Sequence, residues 1–186
     1  MDCAVSSSSA SSLVVDLIDL GRKAGSMIEV ERTVPAPEDL GIAVIGVPQG
    51  SDLSLTVRIE SLEQGVLATG SVHAHLVGEC ARCLDEITSD VDQTFQELFF
   101  YEDQPLEDED EEVLRFGGDE LDLEPVLRDL IVTALPLAPV CRDDCPGLCS
   151  ECGARLADDP THEHDIIDAR WAALLDVQVQ EPEPEL

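Results

Sequence analysis

The stretch Asp52-Leu-Ser-Leu-Thr-Val-Arg-Ile-Glu60 decides the fold class of this chain. Its apolar residues, Leu53, Leu55, Val57 and Ile59, alternate with polar ones, which is the period of a strand with one buried face. Successive strands of this kind, joined by short connections, form an antiparallel sheet or a small barrel. The sequence therefore predicts a β-rich core around this stretch.

The next run along the chain shows the same alternation and carries two histidines. Val72, Ala74 and Leu76 share one side of this predicted strand, while His73 and His75 share the other. Histidines on the polar side of a half-buried strand are more often exposed surface residues than ligands. We therefore predict that both imidazoles are exposed and do not bind a metal.

Further elements complete an α+β prediction. Strands are predicted over 13–17 and 86–101 because apolar residues alternate there or run continuously. A helix is predicted over 123–135, with Asp122 as its N-cap and Pro125 in its first turn, where the missing N–H has no partner to lose. The predicted fold is an antiparallel β core with few helices and a C-terminal, zinc-ribbon-like Cys-rich element.

The composition changes along the chain also predict its organisation. Polar ends, one acidic interruption and one Cys/His-rich segment mark the boundaries. The predicted units are a disordered tail over 1–12, a β-rich core domain over 13–140 with an acidic loop at 102–120, a Cys/His-rich element with a C-terminal helix over 141–177, and a disordered tail over 178–186.

The charge balance of the chain limits its partners. There are 41 acidic residues against 10 basic ones, for a formal net charge of −31. Such a surface repels nucleic acid on average and favours a basic protein partner. The densest acidic run is a candidate partner-binding segment, predicted to be mobile because like charges repel. It consists of Glu107, Asp108, Glu109, Asp110, Glu111 and Glu112.

Several kinds of segment are missing from the sequence. No stretch approaches the roughly 20 apolar residues that span a bilayer, and the Ser-rich N-terminus lacks the basic and apolar regions of a secretory signal. We therefore expect a cytoplasmic protein without membrane contact, whose seven cysteines are reduced. Phosphate-binding loops, nucleophile elbows and the His-Glu-x-x-His motif are also absent from the sequence, so the prediction is a non-enzyme.

Two Cys-x-x-Cys pairs carry the clearest chemical signal. They are Cys80-Ala-Arg-Cys83 and Cys149-Ser-Glu-Cys152, the second followed by Gly153. This spacing lets a tight turn direct two thiolates at one zinc ion, and a following glycine can adopt the positive φ that such turns need. A redox pair would need a βαβ context that the sequence does not show. A redox-sensing zinc–thiolate switch stays an alternative.

Eight candidate metal ligands are enough for two tetrahedral sites with one or two Zn²⁺ ions. They are Cys80, Cys83, Cys141, Cys145, Cys149, Cys152, His162 and His164. One division joins the first Cys-x-x-Cys to Cys141 and Cys145, and leaves the second with the two histidines. The alternative is a single site made of the two Cys-x-x-Cys pairs. Spacing alone does not choose between them.

Three segments resemble the YceD family, the large ribosomal RNA subunit accumulation proteins. Residues 76–84 are similar to its Cys-x-Arg-Cys segment, residues 135–153 to its Leu-Pro-x-x-Pro-x-Cys region, and residues 168–174 to its closing Asp-x-Arg-x-x-x-Leu. The resemblance covers roughly residues 13–177. This chain departs from many relatives at 162–164, where they carry Cys-x-Cys and it has His-Glu-His.

The resemblance implies a role in accumulation or maturation of large-subunit ribosomal RNA, with a ribosomal protein or the pre-ribosomal large subunit as partner. The charge adds the hypothesis that the acidic surface holds a basic ribosomal protein. The alternative is a direct RNA-binding or processing cofactor that uses a local basic patch. Its candidate residues near the cysteines are Arg82, Arg142, Arg155 and Arg170.

Overall fold

A computed structural model describes residues 12–105, 113–164 and 170 of the protein. Several sequence predictions fall outside these residues: the acidic run at 107–112, almost all of both tails, and the C-terminal helix at 168–175 apart from Arg170. The predicted domain boundaries stay predictions. Within the described residues, the α+β class with an antiparallel core is confirmed.

The described residues form nine strands and one helix. In chain order these are β1 Val14–Asp16, β2 Met27–Pro35, β3 Gly41–Ile42, β4 Ile45–Gly46, β5 Asp52–Ser61, β6 Gly65–Glu79, β7 Glu86–Tyr101, β8 Leu114–Phe116, β9 Glu120–Asp122 and α1 Glu124–Ala134. Within these residues no helix has the length and apolar character that a membrane span needs.

Three long strands make the centre of a seven-stranded sheet. The four apolar residues of β5 that define its alternation are each at most 1% exposed, as predicted. β6 and β7 pair antiparallel over their whole length, from Gly65 opposite Phe100 to Glu79 opposite Glu86. Residues 80–85 form the tip of this long hairpin. The first Cys-x-x-Cys pair therefore lies where the sheet projects furthest from its centre.

The predicted exposure of the two histidines of β6 is confirmed. His73 lies opposite Asp92 and His75 opposite Asp90 in the β6–β7 register. Each imidazole Nδ1 is 2.9 Å from the carboxylate oxygen of its partner. Both pairs lie on the solvent-facing side of the sheet, while Val72 and its alternate neighbours are buried.

The remaining strands extend the sheet and brace its ends. β2 pairs with β5, the short β4 pairs with the end of β6 past β5 and with β3, and β8 pairs with β7 in parallel. That parallel contact departs from the antiparallel prediction, but it spans only three residue pairs. The strand predicted at 13–17 is β1, which pairs with β9 in a separate two-stranded sheet.

The helix begins one residue later than predicted, and its N-cap prediction was wrong. Leu123, not Asp122, is the N-cap residue, and it makes no side-chain capping bond. Asp122 is held in β9 opposite Val14, so it cannot adopt the cap position. Its carboxylate accepts a hydrogen bond of 2.9 Å from the N–H of Glu124. Pro125 occupies the first turn, as predicted.

A glycine in β6 allows a close approach of the neighbouring strands. Gly70 of β6 lies between Val57 and Phe95 in the register. A Cβ at this position would be 2.5 Å from the backbone oxygen of Thr56 and 3.1 Å from the Phe95 ring. Only a residue without a side chain fits, because a backbone oxygen on a paired strand cannot move aside. The strands therefore pack closely at this point.

Candidate metal centre

The first cluster joins the hairpin tip to the segment that follows α1. The tip is closed by bonds from the Cys80 N–H to the Asp85 oxygen, 2.8 Å, and from the Leu84 N–H to the Cys80 oxygen, 2.9 Å. The Ala81 N–H then bonds the Pro139 oxygen at 2.7 Å. That last bond ties the later segment to the tip, so that its cysteines come up against the first pair.

Four sulfurs meet in this cluster. Cys80 and Cys145 are buried, whereas Cys83 is half-buried and Cys141 exposed. The Sγ atoms of Cys80 and Cys145 are 3.9 Å apart, and those of Cys83 and Cys141 are 3.7 Å apart. Metal–sulfur bonds of about 2.3 Å in a tetrahedron require sulfurs separated by about 3.8 Å. The cluster therefore has the dimensions of a tetrahedral four-thiolate site.

Two thiols of the first cluster, Cys80 and Cys83, have pKa values shifted in opposite directions. Burial raises the pKa of Cys80, but backbone N–H groups of Cys141, Cys83 and Arg82 outweigh it and lower that pKa to about 6. For Cys83 the Asp85 N–H lowers the pKa, yet burial and the neighbouring sulfurs raise it to about 12. The Cys80 thiolate is thus already stabilised for a cation, while the raised pKa of Cys83 means that its thiol gives up the proton only when a cation binds.

The second cluster is built on a tight turn. The Cys149 N–H bonds the Ala154 oxygen at 2.8 Å, and the Gly153 N–H bonds the Cys149 oxygen at 2.9 Å. Gly153 has a φ of +73°, the conformation predicted for the residue after the pair. Backbone N–H groups of Cys152 and Glu151 lower the pKa of the Cys149 thiol to about 6.

Two imidazoles complete the second cluster. The Nε2 atoms of His162 and His164 each lie 3.2 Å from the Sγ of Cys152, and 2.9 Å from one another. A tetrahedral ion with metal–nitrogen bonds of about 2.0–2.1 Å and metal–sulfur bonds of about 2.3 Å would separate the two nitrogens by about 3.3–3.4 Å and each nitrogen from the sulfur by about 3.5–3.6 Å. The cluster therefore has a suitable donor set and would open by a few tenths of an ångström around an ion.

The structure places the eight candidate ligands in two groups of four, which match the first of the two arrangements considered from the sequence. Cys80, Cys83, Cys141 and Cys145 form one group, and Cys149, Cys152, His162 and His164 form the other; within each, the ligand atoms all lie within 4.8 Å of one another. The two Cys-x-x-Cys pairs are thus placed in different groups. Either group could hold a metal ion. The ligand role of each residue stays a prediction.

The arginines near the cysteines bond within the protein. Arg82 donates from Nη1 to the backbone oxygens of Asp143, at 3.1 Å, and Cys145, at 3.0 Å. The Arg142 Nε lies 3.2 Å from an Asp144 carboxylate oxygen. The two Arg82 bonds tie the hairpin tip to the segment that carries Cys145 and so brace the first cluster. Whether Arg82 and Arg142 also contact a partner stays a prediction.

An acidic residue that the sequence analysis missed links the two clusters. Asp85 accepts a contact of 3.4 Å from the Cys83 Sγ through one carboxylate oxygen. Its other oxygen forms an ion pair with Arg155, which belongs to the turn of the second cluster. Asp85 comes two residues after a Cys-x-x-Cys pair, but nothing in that spacing predicts a partner seventy residues away.

Leu84 is the unusual residue of the hairpin tip. It follows the first Cys-x-x-Cys pair as Gly153 follows the second, and its φ is +61°. Its side chain is 61% exposed. A leucine in this left-handed conformation is strained by about 1–2 kcal/mol, and here the leucine buries little apolar surface in return.

Comparisons with known proteins agree with the resemblance seen in the motifs. The family described as "Large ribosomal RNA subunit accumulation protein YceD" matches residues 68–178, which include both clusters. Uncharacterised proteins of Mycobacterium bovis and Mycobacterium tuberculosis are each 45% identical over 170 residues, covering 90% of this chain and 82% of the relative. One from Mycobacterium leprae is 38% identical over 169 residues, covering 90% and 78%. No solved structure matches the chain. The chain therefore belongs to the YceD family of large ribosomal RNA subunit accumulation proteins.

Proposed function

We propose that this protein is a non-enzymatic ribosome-biogenesis factor of the cytoplasm that supports large-subunit ribosomal RNA accumulation. In this proposal it holds a basic ribosomal protein until that protein meets its RNA. Family membership supports the first part. The net charge of −31 carries the second, because a strongly acidic surface attracts basic chains and repels phosphates.

The contacts of the arginines favour a protein partner over RNA. Arg82 donates to two backbone oxygens, Arg142 pairs with Asp144, and Arg155 pairs with Asp85. A guanidinium that already has an intramolecular partner gains less from a phosphate, since the first contact must weaken. The proposed basic patch would therefore bind RNA only weakly.

We further propose that both clusters hold Zn²⁺ in a structural role. Sets of four thiolates, or of two thiolates with two imidazoles, are typical of structural zinc, and a filled tetrahedron leaves no open position for a substrate. The 3.7 and 3.9 Å sulfur separations of the first cluster support this ion. Bound zinc would fix the hairpin tip to the C-terminal segment and so give a partner a rigid surface.

A pull-down from lysate with and without ribonuclease tests the partner class. We expect basic large-subunit proteins to be retained after ribonuclease treatment and to be lost as salt rises, because exposed charges are screened over about 8 Å at physiological ionic strength. Loss of all bound material after ribonuclease treatment would contradict the proposal and favour the RNA-binding alternative.

A variant of the acidic run sharpens this test. Replacing the six acids at 107–112 with Gln and Ser removes six negative charges without touching a described core residue. We expect weaker capture of basic proteins and unchanged metal content. If the neutralised chain captures them as well as the parent does, this run is not part of the holding surface.

A further inference from the structure

One edge of the main sheet has no neighbour among the described strands. β2 pairs with β5 over nine residues, from Met27 opposite Glu60 to Pro35 opposite Asp52. It is the last strand on its side of the sheet, and within the described ranges no other strand pairs with it. A long edge strand of this kind can accept a further strand from another chain.

Backbone bonds at the two ends of β2 show which of its groups face outward. The Ser61 N–H bonds the Ser26 oxygen at 2.9 Å, and the Ala36 N–H bonds the Ser51 oxygen at 2.8 Å. In an antiparallel ladder the bonded pairs alternate, so even-numbered residues of β2 exchange bonds with β5. The odd-numbered N–H and C=O groups therefore point to the free edge. They belong to Met27, Glu29, Glu31 and Thr33, with the C=O of Pro35.

The side chains of β2 present two different faces to a strand added at this edge. Glu29 and Glu31 are exposed on the outer face. Ile28 and Val30 are half-buried on the inner face, where they pack against the core. Residues of an added strand would lie directly opposite these four residues, with Cβ atoms about 5 Å from theirs. It would match both faces if basic and apolar residues alternated along it.

A depression on the outer face begins at the same acidic residues. It has a volume of about 850 Å³ and crosses β2, β5, β6 and β7 around Gly70. Glu29 and Glu31 line it on the β2 side, and Thr56, Arg58 and Ser71 line it further in. The aliphatic parts of long basic side chains from an added strand could lie on this floor, with their charged ends near Glu29 and Glu31.

We propose that β2 binds an extended basic segment of a protein partner by strand addition, with basic residues beside Glu29 and Glu31 and apolar residues beside Ile28 and Val30. This inference rests on the proposed holding function and gives it a docking site. A second copy of this chain is the poorer occupant, because pairing β2 with β2 brings acidic residues together. Nucleic acid is excluded by the same charges.

The test uses the full chain and a synthetic peptide. The probe is a fluorescent 11-residue peptide in which Lys alternates with Val or Thr. Its control has the same composition with the lysines in one block. Fluorescence anisotropy at low salt is expected to show tighter binding of the alternating peptide. In an extended strand its lysines all lie on one face, whereas those of the control peptide are divided between both faces. Hydrogen exchange at the outward amides of Glu29 and Glu31 is expected to slow in the complex.

Two variants separate charge from backbone pairing. Glu29→Lys with Glu31→Lys is expected to weaken binding by about tenfold or more, since two attractive cross-strand pairs become repulsive. Asp90→Lys with Asp92→Lys makes the same charge change at the same spacing on β7 and is expected to change binding by less than about threefold. Thr33→Pro removes an outward donor at a position equivalent to Pro35, and is expected to weaken binding by about 3- to 10-fold.

Four results would overturn the inference. The first is no binding of the alternating peptide, and the second is equal binding of both peptides with no effect of Thr33→Pro. The third is an equal loss of binding in the two charge variants. The fourth is a dimer of this chain that dissociates when Glu29 and Glu31 are replaced by lysine. The proposed function fails separately, if the parent chain captures no ribosomal protein. Capture that survives both Thr33→Pro and the Glu29/Glu31 reversal would leave the holding function intact and place it elsewhere.

Discussion

Arg155 forms an ion pair with Asp85, and this contact joins the two cysteine clusters. Asp85 is also in contact with the Sγ of Cys83, at 3.4 Å. If Cys83 binds a cation as a thiolate, that thiolate and the Asp85 carboxylate would lie side by side, and the guanidinium of Arg155 would compensate their repulsion. We therefore expect Arg155 to position the first cluster, although it belongs to the turn of the second.

Arg155→Ala is expected to weaken metal binding at the first cluster by about tenfold or more, the usual effect of removing a residue that supports a ligand. Arg155→Lys keeps the charge and should recover part of the affinity. Competition with a chromophoric chelator measures both. Arg142→Ala is the matched control, since that arginine pairs with Asp144 beside the same cluster. An equal loss in the control would contradict the role of Arg155.

Cys83→Ser is expected to remove one of two metal equivalents and to destabilise the attachment of the C-terminal segment. Structural metal contributes its binding energy to folding, so the loss should reach several kcal/mol. Residues 141–164 should become sensitive to protease. Cys152→Ser should also remove one equivalent but leave the Cys141–Cys145 segment protected. Elemental analysis and limited proteolysis check both, and similar cleavage patterns would show that the clusters do not divide as the structure groups them.

Leu84→Gly is expected to stabilise the metal-loaded protein by about 0.5–1 kcal/mol. Glycine relieves about 1–2 kcal/mol of left-handed strain, and the greater freedom of the unfolded chain offsets part of that gain. Leu84→Val should destabilise, because a β-branched residue tolerates positive φ poorly. Chemical denaturation compares the three proteins. A less stable glycine variant would mean that the exposed leucine side chain contributes packing that outweighs its strain.

Gly70→Ala is expected to destabilise the protein by about 1–3 kcal/mol, the usual range for overpacking. The added Cβ would meet the Thr56 backbone oxygen at 2.5 Å, and that oxygen cannot move without disturbing the ladder between β5 and β6. Thr69→Ala, on the exposed face of the same strand, should change stability by less than about 0.5 kcal/mol. Thermal unfolding of the two variants provides the comparison, and a neutral Gly70→Ala would show that the ladder can shift to make room for a Cβ.

The clearest strand predictions are those for strands with one fully buried face. β5 and β6 alternate clearly because they are paired on both sides in the middle of the sheet. β2 is at the edge, with Met27 half-exposed and Arg32 on its inner side, so its alternation is weak. The pairing of β1 with β9 joins distant parts of the chain, and no local pattern encodes it. The N-cap error has the same origin, because the long-range partner of Asp122 keeps it in a strand.

The candidate site was predictable as a set of residues but not as an arrangement. Cys-x-x-Cys spacing identifies pairs, since a tight turn is a local structure. Which pair meets which other ligands depends on where the hairpin tip and the later segment lie. The bond between the Ala81 N–H and the Pro139 oxygen decides that, and it uses backbone groups that every residue has. Asp85 was missed for the same reason.

The position of the first cluster also sets an order of events in folding. Hairpins of local pairs close within about 1–10 μs, so the tip that carries Cys80 and Cys83 can form early. The other two sulfurs come much later in the chain: Cys145 is 65 residues from Cys80, and Cys141 is 58 residues from Cys83. Closing such long loops is slow, because their entropy is lost before the contact is gained. An ion held by all four sulfurs therefore exists only in chains whose β7-to-Cys141 segment has already reached its native path.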